Sequence, residues 1–190
     1  MMRVIAGEFK GRKLVAPKGT DVRPTADRVK EAIFSIVQSW IPSAVCLDLF
    51  AGSGALGIEA LSRGAERVYF CDNASASLGA LRQNLDTCGI GGQRAVVIAK
   101  DWRAVSANKI EKCNLVFIDA PYYMCEHYPD ILEKLAHGRV LEEGARIVIE
   151  RGVSAGNYSL PEGFEKALEK CYGSVGVDLL VYAGNGEQYD

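Results

Sequence analysis

Gly52, Gly54 and Gly57 fall in the run Leu47-Asp48-Leu49-Phe50-Ala51-Gly52-Ser53-Gly54-Ala55-Leu56-Gly57. They satisfy G-x-G-x-x-G, a spacing that permits a tight turn and close approach of backbone to a ligand. Asp72 stands twenty residues after Gly52 and ends the next apolar run. An acid there can accept hydrogen bonds from both ribose hydroxyls of an adenosine. Phe50, Ala51, Ser53 and Asn73 belong to the same two loops and are candidates for the same ligand. This much fits nicotinamide dinucleotides and S-adenosyl-L-methionine alike. Asp48 separates them, because an anion gains little beside a pyrophosphate but suits a ligand whose α-ammonium and sulfonium are both positive. Capping of the turn by Asp48 is compatible with that role. Asp101 and Trp102 follow a third apolar run. The acid can accept from an adenine amino group and the indole can pack on the ring, although core packing explains Trp102 equally well.

The second constellation is Asp119-Ala120-Pro121-Tyr122, directly after Leu115-Val116-Phe117-Ile118. It resembles the (Asp/Asn)-Pro-Pro-(Tyr/Phe) motif of amino-group methyltransferases. An exocyclic base amine is a poor nucleophile because its lone pair is delocalised into the ring. A carboxylate (Asp119) and a backbone carbonyl that accept its two N–H bonds draw the nitrogen towards tetrahedral geometry. Tyr122 would stack on the base, and proline would fix the loop. Ala120 replaces the first proline of the usual pair. The carbonyl survives that change, and the rigidity of the loop is what it puts in question.

These residues need a scaffold that brings several strand ends together. The pattern alternates: strands over 45–50, 67–71, 95–99, 114–119 and 145–150, and helices over 54–63, 74–88 and 129–136. Strands apolar on both faces, separated by helices, imply a doubly wound, mostly parallel sheet. Residues 164–171 and 175–182 flank Tyr172-Gly173-Ser174 without a helix between, which reads as a C-terminal antiparallel hairpin. Ahead of the alternation, apolar residues at Val29, Ala32, Ile33, Ile36, Val37 and Trp40 make one helical face, with Thr25 as N-cap and Pro42 as terminator. Residues 3–16 are expected to form a short hairpin outside the main domain.

The chain has 190 residues and a formal net charge of −2, enough for one α/β domain with a short appendage. Residues 1–30 hold eight Lys/Arg against three acids, a net +5, and the remainder carries −7. A basic arm on an acidic body suggests a polyanionic partner. Arg3, Lys10, Arg12, Lys13, Arg23 and Arg28 are the candidate phosphate contacts. Six cysteines form no C-x-x-C pair and only two histidines are present, so no metal site is expected. No apolar run reaches the ~20 residues of a membrane span, and charge arrives too early for a signal peptide. A soluble, monomeric, cytoplasmic protein is expected.

The chain resembles the RsmD family of bacterial 16S ribosomal RNA guanine-N2 methyltransferases. The resemblance rests on Arg3-Val4-Ile5-Ala6-Gly7, Phe9-Lys10-Gly11-Arg12-Lys13-Leu14, Arg23-Pro24-Thr25, Asp27-Arg28-Val29-Lys30-Glu31-Ala32 and the glycine loop. It implies a Rossmann-like class I methyltransferase fold, with a seven-stranded sheet and a small N-terminal extension. It implies S-adenosyl-L-methionine as cofactor, and ribosomal RNA in an assembled or partly assembled small subunit as partner. Residues 1–24 would form an RNA-contacting arm and residues 25–190 the catalytic domain. The family usually has Glu where Asp72 stands. No metal is called for, since a sulfonium is already an activated leaving group. The rival readings are a DNA adenine-N6 methyltransferase, an NAD-dependent oxidoreductase, and a non-catalytic RNA-binding assembly factor. The first lacks room for a target-recognition insert, and the second leaves Asp119-Ala120-Pro121-Tyr122 unexplained.

Overall fold

The computed structural model describes residues 2–17 and 25–184. Five parallel strands form the centre: β1 (Val45–Asp48), β2 (Arg67–Asp72), β3 (Ala95–Ala99), β4 (Cys113–Ile118) and β5 (Leu141–Gly152). The hairpin β6 (Phe164–Tyr172) and β7 (Val175–Tyr182) completes a seven-stranded sheet of order β3-β2-β1-β4-β5-β7-β6. β7 runs antiparallel to β5, and β6 is the edge. The helices are α1 (Thr25–Val37), α2 (Ala55–Ser62), α3 (Ser75–Cys88) and α4 (Tyr128–His137). This is the doubly wound, mostly parallel sheet expected from the alternation, with the expected C-terminal antiparallel hairpin. Strand order reverses between β1 and β4, so the helices that follow them lie on opposite faces and leave a crevice at the carboxyl ends.

Alternating strand residues feed two cores. Cys46, Phe70, Leu115 and Phe117 pack with Ile33 and Phe34 of α1, Ile58 and Leu61 of α2, and Leu81 of α3. Leu47, Tyr69, Val116, Ile118 and Ile147 pack with Leu132 and Leu135 of α4. Two buried faces are why these strands read as continuous apolar runs. α1 departs from its expected end. It stops at Val37, a 3-10 turn over Gln38–Trp40 follows, and Trp40 is 38% exposed beneath the Arg146 guanidinium. The tighter turn takes the indole off the apolar stripe.

The N-terminal hairpin is closed by an antiparallel bridge between Arg3 and Lys13, but it does not stand outside the domain. Val4, Phe9 and Leu14 are buried in the same core as α1, α2 and α3. Its polar attachment centres on Glu59, the one charged residue of helix α2, with no exposed surface. The Glu59 carboxylate accepts from Ile5 N (2.7 Å), Ala6 N (3.0 Å) and Arg63 Nε (2.8 Å). Lys30 Nζ lies 3.4 Å from it and donates to the Arg3 carbonyl at 2.6 Å. One turn on, Ser62 Oγ accepts from Phe9 N and donates to Ala6 O. Gly7 permits this docking, since a Cβ there would lie 1.7 Å from the Ser62 carbonyl oxygen. No helix among the described residues is long and apolar enough to cross a membrane.

Glu59→Ala removes the acceptor of two arm amides and strands a buried lysine. It is expected to lower unfolding free energy by about 3 kcal/mol or more and to speed amide exchange across residues 4–14. Urea denaturation and hydrogen exchange read both effects, and an unchanged exchange pattern would show that the arm is held by its apolar contacts alone.

Candidate active site

Every strand of the parallel block ends beside an acid. Asp48 closes β1, Asp72 closes β2, Asp101 follows β3, Asp119 follows β4, and Glu150 lies near the end of β5. All five line one cavity of about 910 Å³ at the carboxyl edge. Its floor is the turn Phe50, Ala51, Gly52 and Ser53, and its sides include Asn73, Trp102, Ala120 and Pro121. Of the residues expected to hold a cofactor, only Gly54 is not on the cavity wall.

The glycine turn is held by the acids. Asp72 Oδ2 accepts from Gly52 N and Asp72 Oδ1 from Ala74 N, both at 2.8 Å. Gly52 has φ +55°, a left-handed conformation that glycine adopts without strain. Asp48 Oδ2 accepts from Gly57 N in the first turn of α2 at 2.9 Å, so this buried acid does cap the turn as well as line the cavity. The other glycines serve packing. A Cβ on Gly54 would come within 2.4 Å of Leu81 Cδ1, and one on Gly57 within 2.2 Å of the Phe70 ring. They let α2 lie close against β2 and α3.

On the β3 side, Asp101 Oδ1 accepts from Arg103 N and Arg103 Nη1, both at 3.0 Å. Trp102 is buried on the cavity wall, with the Arg103 guanidinium 4.5 Å from the ring centroid. Its Nε1–H is the one buried side-chain nitrogen or oxygen among the described residues without a hydrogen-bond partner. An orphaned donor in a wall of acids and a tight glycine turn fits a ligand with ring-nitrogen acceptors, hydroxyl donors and positive charge. S-adenosyl-L-methionine has all three.

On the β4 side, Ala120 is buried in the core that packs with α4. Pro121, at φ −51°, has its carbonyl engaged by Met124 N at 2.8 Å. Among the described residues no donor reaches the Ala120 carbonyl or the carboxyls of Asp119 and Glu150. The backbone of Tyr122 opens a 3-10 turn over Tyr122–His127, but its side chain is outside the described structure. Tyr123, 79% exposed, also lines the cavity.

Burial acts on these acids in one direction. Desolvation pushes Asp48 up to about 7, against the Gly57 hydrogen bond and with help from Asp119 and Asp72. Asp119 opens onto the cavity, yet desolvation raises it too. Glu150 is raised by desolvation and then by the Asp119 charge. Lys30, also on the cavity wall, is lowered by burial against the opposing pull of Glu59.

The family model described as conserved hypothetical protein 95 matches residues 2–181. Over 188 residues the chain is 36% identical to ribosomal RNA small subunit methyltransferase D of Escherichia coli strain K12, covering 98% of this chain and 92% of that relative. The chain belongs to the RsmD family. The solved structure of yhhF from Escherichia coli superposes with a TM-score of 0.84 at 33% identity, covering 97% of this chain and 99% of the other. An RNA methyltransferase from Salinibacter ruber, solved in complex with S-adenosyl-L-homocysteine, shares the fold at a TM-score of 0.63 and 13% identity, covering 90% of this chain and 99% of the other.

In this RsmD-family member the arm contributes to the cavity. Met2, Ala16 and Pro17 line it, and Asn84 of α3 ties the arm to the glycine turn, accepting from Val15 N and donating to Val15 O and Ser53 O. Of the expected phosphate contacts, Arg3, Lys10, Arg12, Lys13 and Arg28 are exposed. Arg3 and Lys13 are bridge partners, and Arg12 Nη1 donates to Thr87 O. Arg23 is outside the described residues. The sequence reading missed Glu150, Glu59 and Asn84. An acid ending the apolar strand over 145–150, and another as the one charged residue between Gly54 and Ser62, were the available signals.

Native Asp48 keeps its proton up to about pH 7, whereas the unfolded chain releases it near 3.8. In that window the native state binds more protons, so Asp48 costs stability as pH rises. Asp48→Asn, whose amide oxygen can still accept from Gly57 N, is expected to be more stable than the parent at pH 8 by up to about 4 kcal/mol. The gap should narrow towards pH 5 in urea titrations. A pH-independent gap would mean that Asp48 is not the titrating group.

Proposed function

We propose that the chain transfers the methyl group of S-adenosyl-L-methionine to the exocyclic N2 amine of a guanine in small-subunit ribosomal RNA. The observation that carries this reading is that Asp119 and Ala120 both line the cavity floored by the Gly52 turn, with no donor among the described residues engaging the Asp119 carboxyl or the Ala120 carbonyl. The relative named ribosomal RNA small subunit methyltransferase D supports the choice of RNA.

Gly52, Ser53, Asp72, Asp101 and Trp102 would hold the cofactor, and Asp48 would face its positive end. When bound, the cofactor supplies a methyl group on a sulfonium, a leaving group that needs no further activation. Asp119 and the Ala120 carbonyl accept the two N2–H bonds and aim the nitrogen lone pair along the line of attack. Once the new N–C bond has formed, N2 carries one proton too many, and Asp119 takes it. The raised affinity of Asp119 for a proton suits that step. The base must leave its stack to reach the cavity, at a cost of a few kcal/mol that is least for an unpaired nucleotide. Arg3, Lys10, Lys13 and Arg28, with Arg12 and Arg23, would neutralise phosphates, residues 1–24 acting as the RNA-contacting arm of a catalytic domain over 25–190. The folding of the arm onto the cavity couples RNA contact to the site.

The test is transfer of radiolabelled methyl to small subunits from a methylation-deficient strain, to naked ribosomal RNA and to duplex DNA, followed by nucleoside analysis. N2-methylguanosine from the wild-type chain is expected, with turnover lowered at least about 1,000-fold in Asp119→Ala while cofactor affinity stays within a few-fold. Label in DNA adenine would overturn the substrate. Full activity of Asp119→Ala would overturn its role.

A further inference from the structure

Glu150 is a second carboxyl beside Asp119, and the proposed reaction gives it no task. β4 and β5 are parallel neighbours in register, Phe117 opposite Val148 and Ile118 opposite Ile149. One residue further along the two strands come Asp119 and Glu150, on chains that lie about 4.8 Å apart in a sheet. Both line the cavity, and among the described residues neither carboxyl has a hydrogen-bond partner or a cation within ion-pair distance. The Glu150 backbone is fixed, since its carbonyl accepts from Tyr128 Oη at 3.1 Å. Arg151, the next residue, points to the other face and is held by Asp178 at 2.9 Å and by Glu169, so it does not neutralise Glu150.

We propose that Glu150 is the residue that selects guanine, pairing with the O6 and N1–H of the base while Asp119 and the Ala120 carbonyl hold the N2 amine. This rests on the reading of guanine N2 as the acceptor. The Watson–Crick edge of guanine presents an acceptor, a donor and an amine in a row. Two carboxyls at neighbouring strand ends, with no cation within ion-pair distance among the described residues, do not both ionise readily. The proton stays with the less exposed Glu150, whose affinity burial and the Asp119 charge raise. A protonated carboxyl at Glu150 offers one O–H to O6 and one carbonyl oxygen to N1–H, and the ionised carboxylate at Asp119 accepts from N2. A base that keeps the 2-amine but lacks O6 and N1–H makes at most one of the two bonds to Glu150.

The test uses small subunits rebuilt around ribosomal RNA that carries, at the mapped target position, either guanine or 2-aminopurine. Wild-type kcat/KM is expected to be roughly 10- to 100-fold higher on guanine. Glu150→Gln, whose amide reproduces the donor and acceptor of a protonated carboxyl, should keep that ratio within about threefold. Glu150→Leu should lose roughly 100-fold on guanine and much less on 2-aminopurine, so that the ratio collapses. Equal losses on both bases in Glu150→Leu, or a Gln variant as impaired as Leu, overturn the inference. So does a wild-type ratio near one, which is readable even if the Leu variant does not fold. Absence of N2-methylguanosine from the unmodified substrate overturns the underlying functional reading instead.

Discussion

Adjacent parallel strands bring their carboxyl ends to one edge, and here those ends carry acids. Asp72, Asp48, Asp119 and Glu150 terminate or nearly terminate β2, β1, β4 and β5, which are consecutive in the sheet. Partial dehydration of the crevice raises the proton affinities of Asp48, Asp119 and Glu150, and neighbouring like charges add to the effect at Asp48 and Glu150. The free protein therefore carries a desolvation cost at the place where strand order reverses. A ligand with positive charge at one end, and a base edge rich in N–H donors at the other, relieves it.

The backbone around the crevice is arranged to tolerate the acids. Asp72 is anchored by Gly52 N and Ala74 N, and Asp48 by Gly57 N. Asp119 and Glu150 are left without partners among the described residues. The division matches the proposed division of labour, in which anchored acids shape the cofactor half and unanchored acids remain available to the acceptor. The same logic extends to the arm. Glu59, which is wholly buried, and Asn84 bind it to α2, α3 and the Ser53 carbonyl, so a basic hairpin becomes part of the cavity wall.

Much of this was legible in the sequence because its causes are local. A strand buried on both faces must read as an apolar run, and a glycine turn between strand and helix has a fixed spacing. Hence β3 and β7 match their expected spans residue for residue, and twelve of the thirteen expected catalytic and cofactor residues with described side chains line the cavity, Gly54 being the exception. What escaped depends on contacts between distant positions. Glu59 meets the arm 54 residues away, and Asn84 meets Val15 across 69. No local pattern encodes either. Glu150 belongs to no short motif, and its place opposite Asp119 follows from strand order and register together. Burial of the Ala120 methyl group in the α4 core is likewise a tertiary fact.

The claim at the centre of this account is that the crevice between β1 and β4 holds an adenosyl ligand. The chain has two tryptophans, one on the cavity wall with an orphaned Nε1–H and one exposed beside Arg146. Titration with S-adenosyl-L-homocysteine, followed through the two indole N–H signals in ¹H–¹⁵N spectra, separates them. The account predicts that the Trp102 indole shifts and its exchange slows, together with the amides of Gly52 and Ala74, while the Trp40 indole stays in place. A saturable shift at Trp40, or binding with the Trp102 indole and the Gly52 amide unmoved, would contradict it.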